Sequence, residues 1–321
     1  MSLFDNTQFA FESKSDKDLK KAYYLYKLIG SSALTKLGVK MFNLPFMVDL
    51  PFVKPIIRET IYKQFVGGET AEQAVVVAKE LYKYHVSSIL DYSIEGLTEE
   101  KQFDEVRDVM LHLVDLAKAN PSIPFVVFKP TAFGRIELFE KVGKKQTLTV
   151  EEETSWKNVR QRFEAVCKKG YDLDVNIMID AEETWMQESA DDLTDEMMVK
   201  YNTKRAVIWN TLQMYRHDRL VYLKEMYTKA EREGYHLGFK IVRGAYMEKE
   251  RARAQAEGYP SPIQPNKESS DKDYNLAIEF IAAHHERFGL FAGSQKEESG
   301  EGLIKLMNEN GIEKGNPNFW F

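Results

Sequence analysis

The chain has 321 residues, 43% hydrophobic and 29% charged, with a net charge of −6. That is enough apolar material for a large core, and too acidic overall for a nucleic-acid surface as the main partner. No run approaches the roughly 18 to 20 apolar residues of a membrane span, and a single cysteine, Cys167, excludes an internal disulfide or a cysteine-rich metal site and fits a reducing compartment. The opening segment Met1–Tyr23 carries neither the apolar core of a secretory signal nor the arginine-rich, acid-poor pattern of a transit peptide, and so reads as cytoplasmic.

Residues 1–64 read as a helical arm: DLKKAYYLYKLIGSSALTKLG is amphipathic, and Pro45, Pro51 and Pro55 break and restart the chain after it. From about residue 65 to 321 the pattern is that of a second domain, opening with Thr70 and Gln73 in capping-box spacing before an apolar-periodic helix. Short apolar runs then alternate with charged amphipathic helices, which predicts successive βα units and a parallel sheet. The seven candidate strands are Val86–Tyr92, Phe125–Ala132, Asp174–Glu182, Ala206–Tyr215, Gly238–Tyr246, Phe288–Ser294 and Asn316–Phe321. Polar groups gather at their C-terminal ends, at Asp91, Lys129, Asp180, Gln213 and Arg243, where an α/β barrel binds ligands. A doubly wound open sheet is the rival architecture, but no Gly-x-Gly-x-x-Gly loop follows any strand.

Lys129, held by Pro130 at the end of an apolar run, suits an anionic substrate group, an ion pair with a neighbouring carboxylate, or a Schiff base. Asp180 follows the apolar stretch Ile177–Ile179 and needs a partner, for which Lys129 on the preceding strand is the natural candidate. Together they suit a zwitterionic amino acid or form a plain buried ion pair. Glu182 and Glu183 read as the start of the next helix, where negative charge meets the helix dipole. Gln213 suits either a flat polar ring edge or a structural role. Lys240 and Arg243 are three apart, so strand alternation sends them to opposite faces, and Gly244 lets the backbone approach a ligand closely. His217, His236, His284 and His285 have no metal-ligand spacing, and no metal site is expected.

With these pieces in order, the chain resembles the flavin-dependent proline dehydrogenases. The segments FVGGET, LDYSIEG, FKPTAFGR, NIMIDAEET, NTLQMYR, GFKIVRGAYMEKERARA and SSDKDY carry the likeness between Phe65 and Tyr274. The resemblance implies a distorted (βα)8 TIM-type barrel with FAD across its C-terminal face. It also implies oxidation of L-proline to pyrroline-5-carboxylate in proline catabolism, a quinone as electron acceptor, and at most a peripheral contact with the inner face of a membrane.

Residue by residue, the resemblance puts Lys129 on the proline carboxylate, Asp180 in the pocket, Lys240 beside the reactive face of the flavin, and Tyr246 on the pocket wall. It puts Ala181, Gln213, Arg243, Gly244 and Ala245 along the cofactor. Ser294 and Gln295 stand where the family carries Thr-His-Asn or Ser-His-Asn. The family's last strand and helix, with a tyrosine and an Arg-Arg pair on the substrate carboxylate, have no counterpart in this sequence, so Lys129 alone is expected to hold that anion. Two other readings stay open: a Schiff-base aldolase using Lys129, and a non-catalytic barrel acting as a binding module.

Overall fold

The computed structural model describes residues 3–31, 53–92, 94 and 96–321. The chain divides into two compact units, Met1–Ser88 and Ile89–Phe321. In the first, Ser15 caps the helix Asp16–Ile29 by accepting from the Asp18 N–H at 3.2 Å. Thr70 likewise caps Ala71–Tyr82, accepting from the Gln73 N–H, while Gln73 Oε1 takes the Glu69 N–H. Pro55 lies in the short helix Val53–Ile57, whereas the breaks at Pro45 and Pro51 and the segment 32–38 lie outside the described residues.

Among the described residues the second unit holds seven strands in one sheet. They are β1 (Ile89–Asp91), β2 (Phe125–Phe128), β3 (Asn176–Ile179), β4 (Ile208–Gln213), β5 (Leu237–Val242), β6 (Phe288–Ala292) and β7 (Phe319–Trp320). Every neighbouring pair is parallel and the spatial order is the chain order, β1 to β7. Each crossover therefore advances by one strand in one direction, which is single winding. A doubly wound sheet would reverse its order partway.

The sheet also curls. Laid flat, β2 and β7 would stand five strand spacings apart, roughly 24 Å. Instead the Phe125 ring of β2 meets the Trp320 ring of β7 at 5.2 Å, the Phe291 ring of β6 at 5.7 Å and the Trp209 ring of β4 at 5.1 Å. Side chains from six strands thus share one interior, with Phe125, Val127, Met178, Ala206 and Trp209 as its centre and Ile89, Phe291 and Trp320 packed against it. This is the filled interior of a βα barrel. Trp209 needs room, and two neighbouring strands provide it: a Cβ on Gly238 of β5 would lie 2.7 Å from the indole, and one on Gly289 of β6 only 2.4 Å.

The strands end earlier than their apolar runs suggest. β2 stops at Phe128, β3 at Ile179 and β5 at Val242, so Lys129, Asp180 and Arg243 lie just beyond the ladders, in loops. Pro130 contributes at β2, because it has no N–H to extend a ladder and instead opens a 3₁₀ turn, Pro130–Ala132.

Candidate functional site

Alternation along each strand decides what points into the barrel. Phe125 and Val127 face the interior, so Lys129 continues that face. Met178 does the same for Asp180, Trp209 for Thr211 and Gln213, and the close approach of Gly238 to Trp209 for Lys240. Register then aligns them. Met178 pairs with Trp209 and Thr211 with Lys240, and Phe128 pairs with Ile179. Continuing that register past the ends of β2 and β3, Lys129 and Asp180 fall in one row with the paired Thr211 and Lys240, across β2 to β5. The Asp180 N–H donates to Phe128 O at 3.0 Å, which holds the row together at its β2–β3 step.

The row is a charge relay in space. The Asp180 carboxylate pairs with Lys240, and its Oδ1 also accepts from the Thr211 hydroxyl at 3.3 Å. The cation shown on Asp180 is thus Lys240, two strands on, where the sequence pointed to Lys129. Arg243 has the opposite alternation and leaves the interior, as its spacing from Lys240 requires. It pairs with Asp271 on the helix Lys267–Ala283 and lies 4.3 Å over the Tyr274 ring.

Near Lys129 the loops add Glu182, which the sequence placed at a helix start, and Tyr246, which the resemblance put on the pocket wall. Glu182 precedes the helix Thr184–Tyr201, is 5% exposed, and accepts from the Thr131 N–H at 3.0 Å and the Thr131 hydroxyl at 2.7 Å. Burial pushes its carboxyl above the usual carboxylate range, with Glu183 adding to the rise and Thr131 and Lys129 opposing it. It is therefore a buried site carboxylate, not a residue of the helix start. Tyr246 is half-buried, and burial pushes its hydroxyl to about 12 against the pull of Lys129, with Glu182, Glu183 and Asp180 reinforcing the rise. At neutral pH it is a protonated donor.

Gln213 is 3% exposed and links two loops. Its Nε2 donates to Glu182 O at 2.8 Å, and its Oε1 accepts from the Ala245 N–H at 3.2 Å. Ala181 follows Asp180 in the first of these loops. Gly244, in the second, has φ +133°, a conformation that side chains rarely adopt, and a Cβ there would fall 2.4 Å from the Tyr215 ring. The backbone at Gly244 and Ala245 is left exposed beside the row.

A cleft of about 360 Å³ lies at the ends of β5 and β6, lined by Arg243, Lys267, Gly293, Ser294, Gln295 and Lys296. Ser294 accepts from Arg243 at 2.8 Å. Although burial opposes it, hydrogen bonds from Arg243 and Lys296 hold the Asp271 carboxyl well below its usual range. Lys267 reaches the same carboxylate at 3.4 Å. Three cations share one carboxylate, so the cleft keeps a positive excess suited to a phosphate-bearing group. Thr211 and Thr131 carried no signal in the sequence and Glu182 only that of a helix start, since each joins the site only through a neighbouring strand or loop.

A single-wound βα barrel with a charged row and a cationic cleft at the C-terminal ends of its strands is an architecture suited there to an anionic or zwitterionic ligand. The comparisons narrow the class. Residues 74–321 match the proline dehydrogenase family, and the chain belongs to it. It is 32% identical to the carbapenem antibiotics biosynthesis protein CarD of Pectobacterium carotovorum subsp. carotovorum, over 78% of this chain and 65% of that protein. It is 34% identical to the mitochondrial proline dehydrogenase 1 of Caenorhabditis elegans, over 79% of this chain and 42% of that one. Among solved structures it is similar to proline utilization A from Bdellovibrio bacteriovorus inactivated by N-propargylglycine. The TM-score there is 0.73 and the identity 18%, covering 98% of this chain and 33% of that chain, a likeness of fold. The chain spans less than two thirds of the length of these relatives.

Proposed function

We propose that this chain oxidises L-proline to pyrroline-5-carboxylate, with FAD as its cofactor and a quinone as the final acceptor. The observation that carries the reading is the row Lys129–Asp180–Thr211–Lys240 at the C-terminal mouth of a barrel belonging to this family. The residues present fit a flavin dinucleotide. The cleft at Arg243, Lys267 and Lys296 is cationic where a diphosphate would need it, and the backbone at Gly244 and Ala245 is exposed. Arg243, Gly244, Ala245, Ser294 and Gln295 would hold the cofactor, with Lys240, Ala181 and Gln213 beside its ring. Bound there, the flavin supplies the two-electron acceptor.

The protein's own contribution is orientation and charge. Lys129 meets the substrate carboxylate as a point cation, and Tyr246, protonated at neutral pH, closes the pocket as a neutral wall and donor. Both bonds made to Asp180 fall on Oδ1, and we assign Oδ2 to the substrate N–H. Oxidation of the C–N bond requires the ring nitrogen to arrive unprotonated, and a carboxylate already neutralised by Lys240 favours the ammonium form less than a lone one would. The quinone assignment rests on family membership. No helix among the described residues is long and apolar enough to cross a membrane, so the contact with a quinone-bearing membrane that we assign is peripheral.

The test is the visible spectrum of protein reconstituted with FAD, before and after anaerobic addition of L-proline. Retained flavin that bleaches is the expected result. Retained flavin that stays oxidised would remove the proposed substrate, and failure to retain flavin would remove the cofactor.

A further inference from the structure

Glu250 stands in the first turn of the helix Met247–Glu257, between residues that are exposed, yet is itself 0% exposed. Its Oε1 accepts from the Thr184 N–H at 2.6 Å and its Oε2 from the Thr184 hydroxyl at 2.6 Å. Thr184 begins the helix Thr184–Tyr201, whose own N-cap residue, Glu183, makes no side-chain capping bond. One helix is therefore capped by a carboxylate from another. The arrangement satisfies an N–H that a helix start leaves unpaired and sets a negative charge against the positive end of the dipole. Without those partners a carboxylate buried this deeply would be strongly destabilising.

The clasp lies next to the proposed pocket on both sides. Glu250 donates its own N–H to Tyr246 O at 2.9 Å, so Tyr246 is one turn away. Asp180 and Glu182 lie four and two residues before Thr184. Other links join the same segments: the Gln213 bridge from Glu182 O to the Ala245 N–H, the ion pair of Lys249 with Glu183, and the Arg253 guanidinium 4.2 Å over the Trp185 ring. Lys249 is largely exposed and its pair is weak. The Gln213 bridge is buried, and Glu250, itself fully buried, is the link that bonds Thr184 at the helix start.

We propose that Glu250 is a positioning residue for the substrate pocket: by gripping Thr184 it fixes Tyr246 at a set distance from Asp180 and Glu182. The proposal rests on the reading that this mouth binds proline. Glu250 touches no substrate itself, so its loss loosens a wall and leaves the oxidation intact.

The experiment is steady-state oxidation of L-proline with an artificial electron acceptor, normalised to bound flavin, for wild type, E250A, E250Q, T184V and the E250A/T184V double variant. E250A is expected to raise KM roughly tenfold or more with kcat within about threefold, the size of effect that a misplaced binding wall produces. E250Q keeps an acceptor for the Thr184 N–H and a donor for its hydroxyl oxygen, and is expected to stay within about threefold of the wild-type KM. T184V alone should raise KM, and in the E250A background it should add nothing, because the two groups form one contact. A normal KM for E250A with a lowered melting temperature would make the clasp purely structural and overturn the proposal. So would additive effects in the double variant, or an E250Q as impaired as E250A. If E250A does not fold, a wild-type KM in T184V overturns it equally. A wild type that does not turn over proline removes the functional reading and this proposal together, an outcome seen before any variant is compared.

Discussion

At the mouth of the barrel the Lys129 cation acts electrostatically on a desolvated carboxyl, Glu182, and on a tyrosine that stays protonated, Tyr246. That cation is the only feature of the side chain that K129M removes, since methionine keeps most of the stem. A hydrogen bond to a charged partner contributes about 1.5–3 kcal/mol, so K129M should raise the KM for L-proline about 10- to 100-fold while flavin retention is unchanged. An unchanged KM would show that the substrate carboxylate is bound elsewhere. Glu182 makes a prediction of the opposite kind, about stability. Because its folded-state pKa is raised, the stability it contributes is fully present below the unfolded value, near 4.5, and is lost as pH rises through the folded one. E182Q is permanently neutral and keeps the shape. Its melting temperature should therefore gain on wild type as pH is raised from 4 to 8, and a difference that is constant with pH would count against the burial argument. Neither Glu182 nor Thr211 was legible as a site residue. The sequence shows that polar residues gather near the strand ends, but the partner of Asp180 follows from how β4 and β5 are staggered against β3 in the curled sheet.

Strands were legible where burial on both faces left near-continuous apolar runs, as at Phe125–Phe128 and Phe288–Ala292. Their ends were not, because Lys129 and Asp180 continue the inward alternation after the ladder has stopped. The glycines of β5 and β6 were equally opaque in the sequence. Gly238 and Gly289 look like weak points in good strands, yet in the barrel they are the space that Trp209 occupies. G289A would set a methyl 2.4 Å from the indole between packed strands, so it should destabilise by about 1–3 kcal/mol through overpacking. In a W209F background, where the ring is smaller, the same substitution should be much less harmful. Gly302, inside the helix Glu297–Glu309 with nothing within 4 Å of its Cβ position, provides the contrast. G302A should stabilise by roughly 0.5–1 kcal/mol. Thermal melts of the four proteins check the set, and equal effects of G289A in both backgrounds would mean that Trp209 is not what these glycines accommodate.

At the scale of the molecule the two units differ in what holds them. In the barrel unit β3 and β4 are buried at every position, and aromatic rings from β2, β4, β6 and β7 meet in one interior. In the first unit no side chain of the helix Asp16–Ile29 is fully buried, Leu19, Ala22 and Leu25 are only half-buried, and Phe9, Tyr23 and Tyr24 are 74%, 61% and 67% exposed. Capping by Ser15 and acidic residues in the first turn favour that helix by only about 1 kcal/mol each, and a 14-residue helix without tertiary burial is marginal in water. Its amphipathic sequence announced a helix but not what would cover its apolar face, since the pattern specifies a stripe and not the surface opposite it. Local opening should therefore be far easier in this helix than in the sheet. In hydrogen–deuterium exchange the amides of Leu19–Ile29 should exchange at low opening free energy, while those of β3 to β5 exchange only near the global unfolding free energy. Protection of the first helix equal to that of β4 would mean that its stability comes from interactions other than side-chain burial.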